Sequence, residues 1–173
     1  MRAITDPNEV LHCQALLRRM AHEEKHSEFD AEWVRKHGWK VVPVEDTAHL
    51  AAEEIAVLVP ALKRAGYDEC FAVATEWLGP APVCYRLPIS EEGFALFNRE
   101  CGTLRYLLTV EDRTWAISCN EWYNLFAGTP ELLAAMLGKP IDEAQDEFLS
   151  FAIALAKKPD DPLLQVAKHY AAL

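Results

Sequence analysis

The sequence predicts an α+β protein in which N- and C-terminal helices flank a five-stranded antiparallel sheet. Between residues 67 and 128, short apolar segments alternate with turn residues, a pattern typical of strands. On either side of that region, apolar residues recur every three or four positions, as they do along one face of a helix. The length of 173 residues suits one domain with a substantial core.

The predicted sheet consists of a hairpin, a helix and a three-stranded meander. Its strands cover residues 70–77, 83–87, 104–110, 115–119 and 122–127, and the helix covers residues 91–101. Phe71 and Val73 alternate with smaller side chains, which is the period of two expected of a strand. Ser90 is a favoured N-cap residue for the helix. Short polar connections at 111–113 and 120–121 join the last three strands into the meander.

Helices are predicted before and after the sheet region of the sequence. Asn8 is the expected N-cap of a first helix that runs to about Glu24, and Asp30 begins a short second helix. The third helix is expected to begin at Asp46 or Thr47. After the sheet, prolines mark the first turns of three more helices, at Pro130, Pro140 and Pro162.

One short extended segment is predicted outside the five strands, at residues 41–44. Valines at three of its four positions favour extended structure. Pro43 has no backbone N–H to donate, so this segment is expected at an edge.

The domain organisation is expected to be simple, since no repeat, low-complexity run or long linker interrupts the chain. We predict a single domain over residues 1–173, with a helical N-terminal part (1–66), a sheet core (67–128) and C-terminal helices (129–173). The order of elements is similar to that of profilin/longin-like and PAS-like α+β folds. This resemblance covers element order alone.

The charge balance is acidic. Lys and Arg total 17 against 27 Asp and Glu, which gives a formal net charge of −10. Nucleic-acid phosphates require Lys and Arg, so no nucleic-acid partner is expected. A negative surface potential speeds encounter with a basic protein, which is the partner we expect, although solubility alone would also explain the charge.

Cysteine usage and hydropathy indicate the compartment. The five cysteines are widely spaced and no C-x-x-C occurs, so neither a disulfide framework nor a zinc ribbon is expected. A reduced, cytoplasmic setting is the simplest interpretation. No signal peptide or membrane span is recognisable, and no membrane association is expected.

One motif suggests metal chemistry. His22, Glu23 and His26 match H-E-x-x-H, in which two histidines on one helix face bind zinc and the glutamate polarises the metal-bound water. A third ligand would be needed, and Glu45 or Asp46 lies at a plausible distance downstream. Because the motif lies in a highly charged segment, a solvated helix end is the competing interpretation.

Acidic and aromatic residues surround the two meander turns. Glu111 and Asp112 belong to the first turn, whereas Glu121, Trp122 and Tyr123 belong to the second. The turns are expected at opposite ends of the middle strand. Exposed Trp and Tyr are favoured interface anchors, so we predict a binding surface here. The alternative is that these aromatics enter the core, which strand alternation requires of one of the two.

A second candidate surface lies at the start of a C-terminal helix. Asp142, Glu143, Asp146 and Glu147 form two acidic pairs spaced four residues apart. Carboxylates near a helix N-terminus interact favourably with the helix dipole, so a solvated face is one interpretation. The functional interpretation is a patch that binds a basic partner.

These observations predict a non-catalytic, acidic binding or inhibitory protein. Its most concrete form is an immunity protein or antitoxin that occludes a basic toxin or enzyme. No nucleophile-elbow, dinucleotide-binding or P-loop motif occurs, and no cofactor is expected. Two alternatives remain open: a zinc-dependent hydrolase using Glu23 with zinc on His22 and His26, and a module that senses a small molecule.

Overall fold

The computed structural model describes residues 1–22, 25, 27–45, 50–76, 83–102, 105–120 and 122–173 of the chain. The strands are β1 (Arg2–Ala3), β2 (Lys40–Glu45), β3 (Glu69–Ala74), β4 (Cys84–Pro88), β5 (Tyr106–Thr109), β6 (Trp115–Cys119) and β7 (Tyr123–Gly128). The helices are α1 (Pro7–Met20), α2 (Ala31–Lys36), α3 (Ala52–Arg64), α4 (Glu91–Cys101), α5 (Pro130–Leu137), α6 (Ile141–Leu155) and α7 (Pro162–Ala171). The α+β class is therefore confirmed.

The predicted number of strands was wrong. Within the described residues, the antiparallel sheet has seven strands in the order β1-β4-β3-β5-β6-β7-β2. The two additional strands come from residues 1–66 and form the opposite edges of the sheet. β1 has only two residues, too few to produce a periodic pattern. Pro43 in β2 lies at an edge, opposite Leu125, as its missing N–H requires. The finer likeness to profilin/longin-like or PAS-like folds is not confirmed.

Helix starts follow the local capping chemistry. Ser90 caps α4 as predicted, because its Oγ accepts a hydrogen bond from the Gly93 N–H at 3.0 Å. The cap of α1 is Asp6 and not Asn8: Asp6 Oδ1 accepts from the N–H groups of Asn8 and Glu9 at 2.9 and 3.0 Å. α3 begins only at Ala52, and the predicted caps at positions 46 and 47 lie outside the described residues.

α1 is also shorter than predicted, and it ends at Met20 instead of continuing to Glu24. Ala21 adopts extended backbone angles and forms an antiparallel bridge with Phe29. This bridge ends the helix before His22, so α1 does not include the start of the H-E-x-x-H motif.

Helices cover both faces of the sheet, and α6 and α7 also lie beside its β2 edge. Apolar residues of α3, α4 and α5 pack on one face, and those of α1, α2 and α7 pack on the other. α6 and α7 contact each other and β2. Every residue of β5 and β6 is buried, since side chains on both faces meet helices.

All five cysteines are buried and none forms a disulfide. Among the residues that the structure describes, no helix has both the length and the apolar character needed to cross a membrane.

Candidate binding surfaces

The first meander turn is tied to its own chain. His12 Nε2 lies 2.8 Å from Glu111 Oε2, which connects α1 to the turn between β5 and β6. The Tyr67 hydroxyl donates to Asp112 Oδ2 at 3.2 Å, and the Thr114 hydroxyl donates to Asp112 Oδ1 at 2.9 Å. Glu111 and Asp112 therefore already have intramolecular partners, and they lie at the far end of β6 from the second turn.

At the second turn, the two aromatics have different environments. Tyr123 begins β7 and is partly buried, with its ring centroid 5.9 Å from that of Phe148 on α6. Burial raises the pKa of Tyr123 to about 12, and the negative charge of Glu28 adds to the rise. Trp122 precedes the strand and remains 66% exposed. The predicted Glu121 lies outside the described residues.

Trp122 and Tyr123 form one wall of an open cleft of about 910 Å³, which we call the aromatic cleft. The cleft lies between α7, the segment that leads into α2, the start of β7 and the end of α6. Its described lining residues are His22, Lys25, Glu28, Phe29, Asp30, Ala31, Trp122, Tyr123, Leu155, Asp161, Pro162, Leu163, Gln165, Val166, His169 and Tyr170. The fold thus brings His22 close to the predicted aromatic surface, although the sequence suggested no link between them.

The zinc hypothesis stays a prediction. His22 lies beyond the end of α1, and its backbone N–H donates to the Glu28 carbonyl at 2.8 Å. Glu23, His26 and the possible third ligand Asp46 lie outside the described residues. In the part of the chain that is described, no three His, Cys, Asp or Glu side chains converge as metal ligands.

The acidic residues of α6 are all exposed and lie in its first two turns. Asp142 and Glu143 are in the first turn, where carboxylates stabilise the positive end of the helix dipole. Glu147 lies further along α6, and its Oε2 is 2.7 Å from the ammonium nitrogen of Lys139. Of the four acidic residues, only Glu147 lines a cavity described here.

That cavity, of about 460 Å³, lies between the end of β2 and helices α3, α5 and α6. We call it the acidic pocket because its described lining includes four carboxylates and a single cation, namely Glu45, Glu53, Glu54, Glu147 and Lys139. Its other side chains are apolar: Val44, Val57, Phe126, Met136, Leu137, Ala144 and Phe148. The pocket therefore combines an apolar interior with a negatively charged rim.

Sequence reasoning identified only Glu147 as a binding residue of this pocket. Glu45 was considered only as a metal ligand, and Glu53 and Glu54 lie in the first turn of α3, where acidic residues are common for helix-dipole reasons alone. These residues are separated by up to 102 positions and meet only through the packing of β2, α3 and α6. No local sequence signal could have revealed their proximity.

Comparison with known proteins gives no relative: no family model, no curated protein and no solved structure matches the chain.

Proposed function

We propose that this chain is a non-catalytic binding protein that occludes a basic protein partner, and that the acidic pocket receives a cationic side chain of that partner. The observation that carries the proposal is the pocket itself. Carboxylates from β2, α3 and α6 surround an apolar interior, with one lysine among the described lining residues.

The lining matches the chemistry of a lysine or arginine side chain. Such a side chain has an apolar stem and a charged head, so it can place the stem against Val57, Met136 and Leu137 and the head among the carboxylates. Arginine fits best, since its planar guanidinium can bind a carboxylate through two parallel hydrogen bonds.

The remaining charge supports association with a basic partner. The chain carries a formal net charge of −10, and Asp142, Glu143 and Asp146 lie on the exposed face of the helix that contributes Glu147. A field of one sign speeds the encounter with an oppositely charged protein and weakens as salt is added. Salt-sensitive binding is therefore a property that the proposal requires.

The most concrete form of the proposal is an immunity protein or antitoxin that acts in the cytoplasm and blocks a basic toxin or enzyme. It is supported by the acidic balance and by five buried cysteine thiols, which suit a reduced compartment. An occluding role needs only tight, complementary binding, so the chain itself requires neither a nucleophile nor a cofactor.

The test is capture from host extract with three baits. The first is the wild-type chain, and the second carries Glu45→Gln, Glu53→Gln and Glu147→Gln, which neutralise the pocket while Glu54 keeps its hydrogen bond from the Ala51 N–H. The matched control carries Glu91→Gln, Glu92→Gln and Glu131→Gln, which remove three exposed carboxylates outside the pocket. Circular dichroism checks that all three baits are folded.

We expect the wild type and the control to retain one stoichiometric basic protein at low salt and to release it at high salt. The pocket variant should bind it at least tenfold more weakly, because the cationic group loses its counter-charges. The captured protein is then assayed with increasing amounts of the chain, and its activity should fall to zero near one equivalent. Equal retention by all three baits, or no basic partner on any of them, would refute the proposal.

A further inference from the structure

The aromatic cleft is a second cavity, separate from the acidic pocket. The two share no described lining residue, and the ring contact between Tyr123 and Phe148 lies between them, since Tyr123 lines the cleft and Phe148 lines the pocket. Its volume of about 910 Å³ lies within the range of about 300–1,000 Å³ typical of small-ligand sites. Ligand binding in the cleft is therefore independent of partner binding at the acidic pocket.

The exposed indole of Trp122 is the first feature that indicates a ligand. Its side chain is 66% exposed, and Leu155, which lines the same cleft, is 49% exposed. Two large apolar side chains beside one concavity leave apolar area in water that a ligand could cover. Among aromatic rings, indole attracts cations most strongly through its face.

The polar groups of the cleft favour a positively charged ligand. Three carboxylates line it, those of Glu28, Asp30 and Asp161, against the single ammonium group of Lys25 when histidines are counted as neutral. Glu28 lies close enough to Tyr123 and Tyr170 to contribute to the raised pKa of both hydroxyls, for which burial is the larger cause. Of these three carboxylates, that of Glu28 thus lies near the tyrosine rings of the cleft.

The chain already places an organic cation at this carboxylate. Lys25 Nζ lies 3.1 Å from Glu28 Oε1, and the lysine side chain is 63% exposed whereas that of Glu28 is 27% exposed. An ion pair with one partner this exposed contributes little to stability, so another ammonium group can replace the lysine at small cost. The Lys25–Glu28 contact therefore shows that an ammonium group can reach this carboxylate.

We propose that the aromatic cleft binds an organic ammonium ion, with the apolar body of the ligand against Trp122 and Leu155 and its cationic head at Glu28. Two sources carry this chemistry: a free amine, and a lysine side chain of a polypeptide. Both would use the same aromatic wall and the same carboxylate.

The experiment is a titration of the full chain followed by NMR. The chain has five tryptophans, and Trp122→Phe identifies which indole N–H signal belongs to Trp122. The probes are 2-phenylethylammonium with the neutral 2-phenylethanol, and a lysine-containing pentapeptide with the same peptide acetylated on its lysine. The variants are Glu28→Gln within the cleft and Glu53→Gln in the acidic pocket as the matched control.

We expect at least one charged probe to shift the Trp122 signal and to bind about tenfold more tightly than its neutral counterpart. Glu28→Gln should abolish that preference, whereas Glu53→Gln should leave it unchanged. A preference for the amine pair indicates a small-molecule ligand, and a preference for the peptide pair indicates a polypeptide. Equal binding of charged and neutral probes, or no shift of the Trp122 signal with any probe, would overturn the proposal. A preference lost in Glu53→Gln would also overturn the proposal, because Glu53 lines the other cavity.

Discussion

At the residue scale, Gly93 decides how closely α4 can approach the end of β4. Gly93 is buried in the first turn of α4, and a Cβ atom at this position would lie 2.2 Å from the carbonyl oxygen of Pro88. That oxygen belongs to the backbone, so it cannot move aside as a flexible side chain would. The close approach places Phe94 and Phe97 in the core against the sheet.

We predict that Gly93→Ala destabilises the protein by about 1–3 kcal/mol, the usual cost of forcing extra atoms into a packed site. The sign of this change in stability is informative, because Gly→Ala inside a helix without such a contact stabilises the protein by roughly 1 kcal/mol. Urea unfolding of the wild type and the variant measures the difference in their free energies of unfolding. Ala95→Ser, at an exposed position of the same helix, is the control and should cost about 0.5 kcal/mol. An increase in stability for Gly93→Ala would contradict the described packing.

Part of the residue-scale structure was predictable. Ser90 and Asp30 cap the starts of α4 and α2 as the sequence indicated, since capping depends on neighbouring residues only. The cap of α1 was missed although a signal was present. Pro7 favours the first helical position, which makes Asp6 the capping residue ahead of Asn8.

At the element scale, the start of α3 is fixed by a side chain from α4. The Leu50 N–H donates to Asn98 Oδ1 at 3.2 Å, and the Asn98 amide donates to the Leu50 carbonyl at 2.7 Å. Both hydrogen bonds join the segment just before α3 to a helix 48 positions away. They help to position the first turn of α3, which contributes Glu53 and Glu54 to the acidic pocket.

We predict that Asn98→Ala lowers the free energy of unfolding by about 1–3 kcal/mol, because two hydrogen bonds are lost and the Leu50 backbone groups lose their partner. The same variant should weaken binding of the basic partner, since the start of α3 is no longer held. Arg99→Ala is the matched control: its ion pair with Glu100 is exposed, and the change should stay within about 0.5 kcal/mol. Equal stability of the two variants would refute this role of Asn98.

Element pairing was less predictable than element type. The meander could be predicted because its strands are consecutive and joined by short turns. The structure pairs β5 with β6 and β6 with β7. β2 pairs with β7, whose residues follow about 80 positions later, and hydrophobic periodicity contains no information about such a distant partner. The edge position of β2 was still foreseeable from Pro43 alone.

At the scale of the whole molecule, folding separates some residues that lie close together in the sequence. It also brings together carboxylates that are far apart in the sequence. Glu111 and Trp122 belong to turns at opposite ends of β6, whereas Glu45 and Glu147 line one pocket. The net charge was known from composition, but the grouping of four carboxylates around one pocket follows from tertiary packing. Candidate sites of this kind are visible only once the helices are placed on the sheet.

The whole molecule also contains several buried hydroxyl and thiol groups whose burial favours the protonated form. Tyr106, Tyr170 and Cys70 are almost fully buried, and burial raises the pKa of each above its ordinary value. Tyr123, which is partly buried, has its pKa raised to about 12 by the same cause. In the unfolded chain these groups would lose their protons near pH 10 for tyrosine and 8.5 for cysteine.

We therefore predict that the protein loses stability as the solution becomes alkaline. A group whose pKa is raised by folding contributes its full stabilisation below the unfolded pKa, and loses it as the pH rises towards the folded pKa. For Tyr123 the loss of stability falls between about pH 10 and pH 12.

Urea unfolding midpoints measured at pH 8, 9.5 and 11 should decrease in that order. Tyr123→Phe, which has no hydroxyl to ionise, should show a smaller decrease between pH 9.5 and 11 than the wild type. Midpoints that stay level up to pH 11 would mean that these side chains are hydrated in the folded protein, which is incompatible with the packing of Tyr106 and Tyr170 in the two layers beside the sheet.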